Sequence, residues 1–368
     1  MTAALFTILV VGGSCYCFLV VFAAVGFRRE ACTGQDTSRT PPISILKPVG
    51  GAEPRLFENI KSHLNQDYPE WECLVGVKES DGELRAALVA RFPQLRVVSC
   101  SEGASGNRKV AILEQLVQHA RHDLLVVNDA DIHVEPPYLR RLAASMGPGV
   151  GLATCLYRAA PAPTLASRID AFWISAEFSG QVLAARATQG LRFGLGATLA
   201  FHRADLEQIG GFAAIRDFLA DDYQLGARIA GVGRRIVLAP EIVETMAADL
   251  GWRDVWLRHL RWSRTVRVSR PLGHAGLILT QPVMWSLALL AVAGMTPWTL
   301  AVSAVGLASK LAASWAAGRA TGSRFVFYQL WLAPMVELWS FAVWAWSFMG
   351  RRVVWRGRAL RLDSSGRI

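Results

Sequence analysis

Apolar residues crowd the two ends of this 368-residue chain, while its middle alternates short apolar runs with amphipathic stretches. The first run, Ala3 to Phe27, is long enough to cross a bilayer as one helix and stops at Arg28-Arg29. A secretory signal peptide would carry its positive region ahead of such a run. No Lys or Arg precedes Arg28, so an uncleaved anchor is expected over residues 1–28. Arg28 and Arg29 then place the domain that follows in the cytoplasm.

Apolar segments return at Gly276 to Met295, Trp298 to Ala317 and Phe325 to Met349, punctuated by Pro282, Pro297 and Pro334. Trp gathers near their ends, as at a membrane–water interface. Arg319 and Arg324 read as cytoplasmic, and so does the tail with Arg351, Arg352, Arg356, Arg358 and Arg361. A single crossing between them cannot satisfy both. The third segment is therefore expected either to be re-entrant, broken at Pro334, or to lie in the interface.

Between these blocks the period is that of an α/β sheet. Ile43 to Leu46, Glu72 to Val77, Leu95 to Cys100 and Leu124 to Asn128 read as strands. Leu56 to Leu64, Leu84 to Phe92 and Val110 to His119 have helical spacing. Such repetition suits a nucleotide-binding half, with ligands at the carboxyl ends of parallel strands. The expected organisation is an anchor (1–28), an α/β domain (40–250), an interfacial amphipathic segment (251–272), membrane segments (276–350) and a basic tail (351–368).

Composition changes this picture little. A net charge of +10 raises nucleic acid as a partner, but the arginines gather beside the apolar segments, where they meet anionic headgroups. No nucleic-acid partner is expected. The six cysteines show no metal-ligand spacing, which fits reduced thiols in the cytoplasm. Lys310 falls inside an apolar segment, and snorkelling toward Arg319 accounts for it.

Chemistry resides in the placed acids. Asp129 and Asp131 stand two apart where the Leu124 to Asn128 strand ends. Paired carboxylates hold Mg²⁺ or Mn²⁺ while substrate phosphates complete the shell, and an acidic turn cap has the same sequence. Asp221-Asp222-Tyr223 opens a helical stretch, so one acid can cap the helix while the other takes a proton from an acceptor hydroxyl. Leu191 to Thr198 is interrupted by glycines that let a backbone approach a ligand; a plain strand-turn would look alike. Asn107-Arg108-Lys109 precedes a helix where N–H groups and Lys109 can meet phosphate, or where a basic turn is simply solvated. Arg258 and Arg261 lie three apart on one helical face with Trp262 beside them; a basic membrane collar is the plainer reading. His133, His202 and His259 share no ligand-like spacing.

Taken together, Asp81, Asp129, Asp222 and Arg258-x-x-Arg261-Trp262 resemble the ceramide glucosyltransferase-like group of membrane glycosyltransferases with the GT-A fold. Ile45-Leu46-Lys47-Pro48, Gly211-Phe212 and Leu219 to Tyr223 add to the likeness, which covers roughly residues 40 to 265. The resemblance implies a UDP-sugar donor, inversion by a single displacement and a membrane-lipid acceptor. In that pattern Asp222 is the base, Asp131 with Asp129 holds Mg²⁺ or Mn²⁺, and Asp81 lies near the uridine. Lys109, Arg258, Arg261 and Trp262 bind the nucleotide-sugar beside the membrane. Glu79-Ser80-Asp81-Gly82 matches the first motif loosely. The full Asp129-x-Asp131 stands closer to the broader glycosyltransferase pattern than to animal ceramide enzymes, which implies a bacterial member in the inner membrane. UDP-glucose to ceramide is the first expectation. A hopanoid acceptor with UDP-N-acetylglucosamine, a processive polysaccharide synthase and an inactive scaffold are the others.

Overall fold

Burial decides where the strands go. Ile43, Ile45 and Leu46 in one run, and Leu124 to Val127 in another, are covered on both faces, which selects the middle of a parallel sheet rather than an edge. The computed structural model describes the chain apart from residues 33–36, 52, 54, 102–105, 247–248 and 356, and it divides into two units. Arg356, counted above in the tail, lies outside the described residues.

The first unit (Glu30–Tyr157, Gly190–Ala247 and Arg367–Ile368) is built on an eight-stranded sheet. Its strands are β1 (Ile43–Pro48), β2 (Trp71–Lys78), β3 (Arg96–Cys100), β4 (Leu124–Val127), β5 (Ile132–His133), β6 (Val150–Ala160), β7 (Leu199–His202) and β8 (Arg235–Met246). Their spatial order is β3-β2-β1-β4-β7-β6-β8-β5. The first four are parallel, with Ile45 facing both Cys73 and Val126 in register. Strand β7 then runs antiparallel to β4, pairing Leu125 with Phe201, and β6 runs antiparallel to β7. The result is a mixed sheet whose four parallel strands share one carboxyl edge.

The helix Arg108–His119 lies close over β2 because position 76 is glycine. A Cβ there would meet Ile112 Cγ2 at 2.4 Å. Asn107 starts this helix: its Oδ1 accepts from the N–H groups of Lys109 (3.0 Å) and Val110 (3.4 Å). Its Nδ2 donates to the carbonyl of Phe218 (3.0 Å), tying the helix start to the stretch that leads into Asp221.

The second unit (Met1–Arg29, Arg158–Gln189 and Ala248–Gly366) is helical. Arg158–Gln189 was expected within the α/β domain but folds here. Ile169, Phe172, Ala176 and Ala184 form an apolar stripe that packs with Cys17, Val20, Ala317, Leu332 and Val336. Two helices, Thr2–Cys32 and Pro297–Ala320, are long and apolar enough to cross a membrane. A bent pair, Pro271–Thr280 with Pro282–Ala293, would make a third. The segment from Phe325 onward breaks ahead of Pro334, between Tyr328 and Leu332. Pro334 itself sits in the first turn of Leu332–Ser347, where its missing N–H has no partner to lose.

Two expectations for this unit give way. Lys310 does not snorkel toward Arg319; its buried Nζ pairs with Glu177 and lies 3.4 Å from Glu337. Glu337 Oε1 in turn accepts from the N–H groups of Val283 (2.6 Å) and Met284 (3.0 Å) at a helix start. A buried ammonium needs a carboxylate more than it needs water at the end of a long stem. The tail, expected only as a basic stretch, pairs as a hairpin of β9 (Arg352–Trp355) and β10 (Arg358–Arg361).

Candidate active site

Asp129 leaves β4 at the shared carboxyl edge, and three other charged groups gather round it. Lys109 Nζ lies 2.8 Å from Asp129 Oδ1 and 2.9 Å from Asp221 Oδ2. Asp222 Oδ2 accepts the backbone N–H of Gly196 (2.9 Å), and its Oδ1 accepts from Tyr223 N–H (2.7 Å). Gly196 marks the meeting point. A Cβ built there would lie 3.1 Å from Asp129 Oδ2, 3.3 Å from Asp222 Oδ2 and 3.7 Å from Lys109 Nζ. Four stretches far apart in sequence thus supply one charged cluster.

Neither Asp221 nor Asp222 is the cap of its helix. Ala220 holds that place without a side-chain bond, and both acids occupy the first turn, where the helix dipole favours their charge. The Asn107-Arg108-Lys109 turn is not a solvated one. The N–H groups of Lys109 and Val110 bond the Asn107 side chain, and Lys109 Nζ is held by Asp129 and Asp221.

The electrostatics follow from this packing. Burial pushes the Asp222 carboxyl up to about 6, with the Asp221 charge adding to it and Lys109 opposing. The side chain nonetheless keeps a partly exposed edge. Burial alone would lower Lys109, but Asp129, Asp221 and Asp222 outweigh it and hold the ammonium charged. Asp222 is therefore the acid of this cluster poised to exchange a proton near neutral pH.

Asp131 points to another partner, Thr245 Oγ1, whose hydroxyl donates to Asp131 Oδ2 across 2.7 Å. The pairing of Ile132 with Thr245 between β5 and β8 brings them together. Beneath the Asp129-Ala130-Asp131 turn, buried Lys47 donates to the carbonyl of Asp129 (2.8 Å), and Asn59 Nδ2 donates to that of Ala130 (3.2 Å). Both were missed in the sequence: Lys47 sits in a strand that otherwise reads as plain core. Asn128 adds a bond to the carbonyl of Ala197 (2.8 Å), joining the acidic turn to the Gly196 loop.

Among the described residues no three His, Cys, Asp or Glu side chains cluster closely enough to hold a metal ion by themselves. Mg²⁺ and Mn²⁺ do not require that. One or two carboxylates suffice when substrate phosphates and water complete an oxygen shell. Asp129, with 37% of its side chain exposed, offers oxygens of the right kind. The donor set fits a substrate-completed site rather than a protein-built cage.

Asp81 sits at the same sheet edge, just beyond β2, which β1 separates from β4. Its Oδ2 is buried with no hydrogen-bond partner among the described residues.

Arg258, Arg261 and Trp262 belong to the second unit, on the helix Trp252–Ser269. There the guanidinium carbons of Arg258 and Arg261 lie 5.8 and 5.7 Å from the centre of the Trp262 ring. Trp262 also stacks on Trp173 at 5.3 Å. Arg258 Nη1 donates to Asp170 Oδ2 (2.8 Å), and His259 Nε2 lies 2.9 Å from Asp170 Oδ1. Trp339 Nε1 can only donate, and it lies 3.0 Å from His259 Nδ1. The His259 proton therefore sits on Nε2, facing Asp170. Burial keeps the ring neutral by lowering it below the usual histidine value, although Asp170 opposes this. Asp170 and Trp339 carry no motif that sequence reading could have used.

The model of glycosyl transferase family 21 matches residues 5–368. Ceramide glucosyltransferase 3 of Caenorhabditis elegans is 22% identical over 236 residues, which are 62% of this chain and 51% of the worm protein. A ceramide glucosyltransferase of Gibberella zeae is 25% identical over 168 residues, 39% of this chain and 32% of that one. The chain thus spans about half, or less, of the length of the curated relatives it matches. Among solved structures, the mannosyltransferase PcManGT of Pyrobaculum calidifontis, in complex with GDP-Man and Mn²⁺, superposes with a TM-score of 0.56 at 19% identity. The superposition covers 95% of this chain and 99% of that one, a likeness of fold.

Proposed function

Because the chain belongs to glycosyl transferase family 21, we propose that it moves one hexosyl unit from a UDP-sugar to the primary hydroxyl of a membrane lipid, glucose to ceramide before other pairs. The observation that carries this reading is the placement of Asp222, raised toward neutrality and fixed by two backbone N–H groups beside Asp129. A general base works best with a pKa near the working pH.

Asp222 takes the proton of the acceptor hydroxyl as that oxygen bonds to the anomeric carbon. The bond from that carbon to the diphosphate breaks, its electron pair leaves with UDP, and the configuration inverts. Asp222 then releases its proton to water. Asp129 and Asp131 would hold Mg²⁺ or Mn²⁺ with diphosphate oxygens, supplying Lewis-acid stabilisation of the leaving group. Lys109 bridges Asp129 and Asp221 and offsets their charge. Asp81, with its unpartnered Oδ2, meets the uridine. Arg258 and Arg261 neutralise diphosphate charge, and Asp170 sets the direction of the first.

The curated relatives named above are ceramide glucosyltransferases, and that supports ceramide as the lipid. Membranes containing the protein are incubated with UDP-glucose or UDP-N-acetylglucosamine and either ceramide or a hopanoid, and the products are weighed by mass spectrometry. A glucosylceramide mass is expected. A product made only on the hopanoid would replace the acceptor, polymer would replace the reaction, and no product with any pair would sink the proposal.

A further inference from the structure

The C-terminal hairpin sets Arg352 directly opposite Arg361, so two guanidinium groups share one face of an isolated two-stranded ribbon. Both are exposed, as are Arg351 and Arg358. Like charges facing each other across a strand pair destabilise it. None of these four arginines has a carboxylate partner among the described residues. Such a pair is stable beside an anion that accepts from both.

The neighbourhood says which anion. The hairpin begins five residues after the apolar helix Leu332–Ser347, and the intervening Phe348 and Met349 are exposed, with Trp346 exposed just before them. An aromatic and apolar rim followed at once by arginines is the order in which a chain passes from hydrocarbon to headgroups. The hairpin is also fastened to the helix Trp252–Ser269. Arg264 donates to the carbonyls of Met349 (2.5 Å) and Arg352, and Arg267 donates to those of Gly350 (2.7 Å) and Phe348 (3.3 Å). Whatever holds the hairpin therefore also steadies the helix that bears Arg258 and Arg261.

We propose that the Arg352/Arg361 face of this hairpin binds the phosphate of acidic phospholipid headgroups, and that this contact sets the working position of the Trp252–Ser269 helix. Acidic lipid is then a regulator of the enzyme, distinct from its acceptor.

The test uses the full chain in vesicles of phosphatidylcholine alone or phosphatidylcholine with phosphatidylglycerol. Lipid retained by the purified protein is counted by native mass spectrometry, a readout independent of sugar transfer. The wild type should retain phosphatidylglycerol selectively. Arg352→Gln/Arg361→Gln should bind it roughly thirtyfold more weakly, the conversion of about 2 kcal/mol for two arginines at the surface. Transfer by the wild type should rise when phosphatidylglycerol is present, and the double variant should keep the phosphatidylcholine rate but lose the rise. Its unchanged basal rate certifies its fold, and Arg352→Lys/Arg361→Lys should restore most of the effect. Equal retention by wild type and double variant would overturn the binding site. Stimulation by inorganic phosphate in place of the lipid would overturn the lipid as its ligand. Selective retention with no effect on rate would overturn the regulatory role.

Discussion

The backbone N–H of Gly196 donates to Oδ2 of Asp222 across 2.9 Å, and Asp129 stands on the other side of the same glycine. A residue with no side chain thus spaces two carboxylates that would otherwise repel each other freely. Gly196→Ala would force its methyl within 3.1 Å of Asp129 Oδ2 and 3.3 Å of Asp222 Oδ2, so one acid must move. Misplacing a reacting group by about 1 Å costs on the order of 10²-fold in rate. The shift needed here is a few tenths of an ångström, so turnover by this variant should fall by less than that factor while its melting temperature stays near wild type. Wild-type turnover would show that the spacing does not matter.

The Asp222 carboxyl, raised from 3.8 to about 6, leaves two marks on pH dependence. Activity should climb as pH rises through about 6 and level off above, because the base must be ionised. Stability runs the other way. Between 3.8 and 6 the folded chain holds a proton on this group that the unfolded chain has lost, so stability declines as pH rises across that window. Asp222→Asn should therefore melt higher than wild type at neutral pH, with the gap closing below about 4. Thermal melts in detergent at a series of pH values measure this, and a variant that melts lower at neutral pH would contradict it.

Lys47 lies beneath the acidic turn, fully buried, with its Nζ 2.8 Å from the carbonyl of Asp129 and 3.5 Å from that of Ile132. Lys47→Met keeps the stem and deletes the donor. Groups that orient metal ligands from behind typically contribute 10- to 100-fold in metal affinity. The Mn²⁺ concentration needed for half-maximal UDP binding should rise by about that much, read by calorimetry without acceptor. An unchanged Mn²⁺ titration would remove Lys47 from the site.

Asp170 is buried and holds both Arg258 and His259. Asp170→Ala strands a guanidinium and an imidazole N–H, and breaking a buried charge pair costs about 3–5 kcal/mol. Trp339→Phe removes only the donor to His259 Nδ1, a loss of about 1–3 kcal/mol for a buried acceptor left bare. Chemical unfolding should rank them in that order. The reverse order would mean that the ring, not the carboxylate, organises this part of the helix.

The parallel half of the sheet was legible because its strands are local: apolar runs of four to six residues separated by helices of the expected spacing. The approach of Asp129 to Asp222 was legible in part, since each stands at a strand or helix end where a carboxylate has few structural duties, whereas Asp131 turns to Thr245. The antiparallel half was not. Which strand lies beside β4 depends on pairing Leu125 with Phe201, 76 positions on, and periodicity carries no such information. The same holds for charges that meet across the fold. Lys310 finds Glu177 133 positions away, and Lys109 finds Asp221 across 112. A neighbour-based reading gave Lys310 the interface and Lys109 either phosphate or solvent, and the fold gave both ammonium groups carboxylates. The hairpin escaped for a different reason: its arginines read as a basic cytoplasmic tail, and only the register of Arg352 on Arg361 shows them paired.

The central claim is that Asp222 accepts the proton from the lipid hydroxyl. Single-turnover transfer with donor saturating, run on wild type and Asp222→Asn alongside UDP-sugar affinity, tests it most directly. The account predicts a rate at least about 10²-fold lower with donor affinity retained. A variant that transfers sugar at the wild-type rate would contradict it.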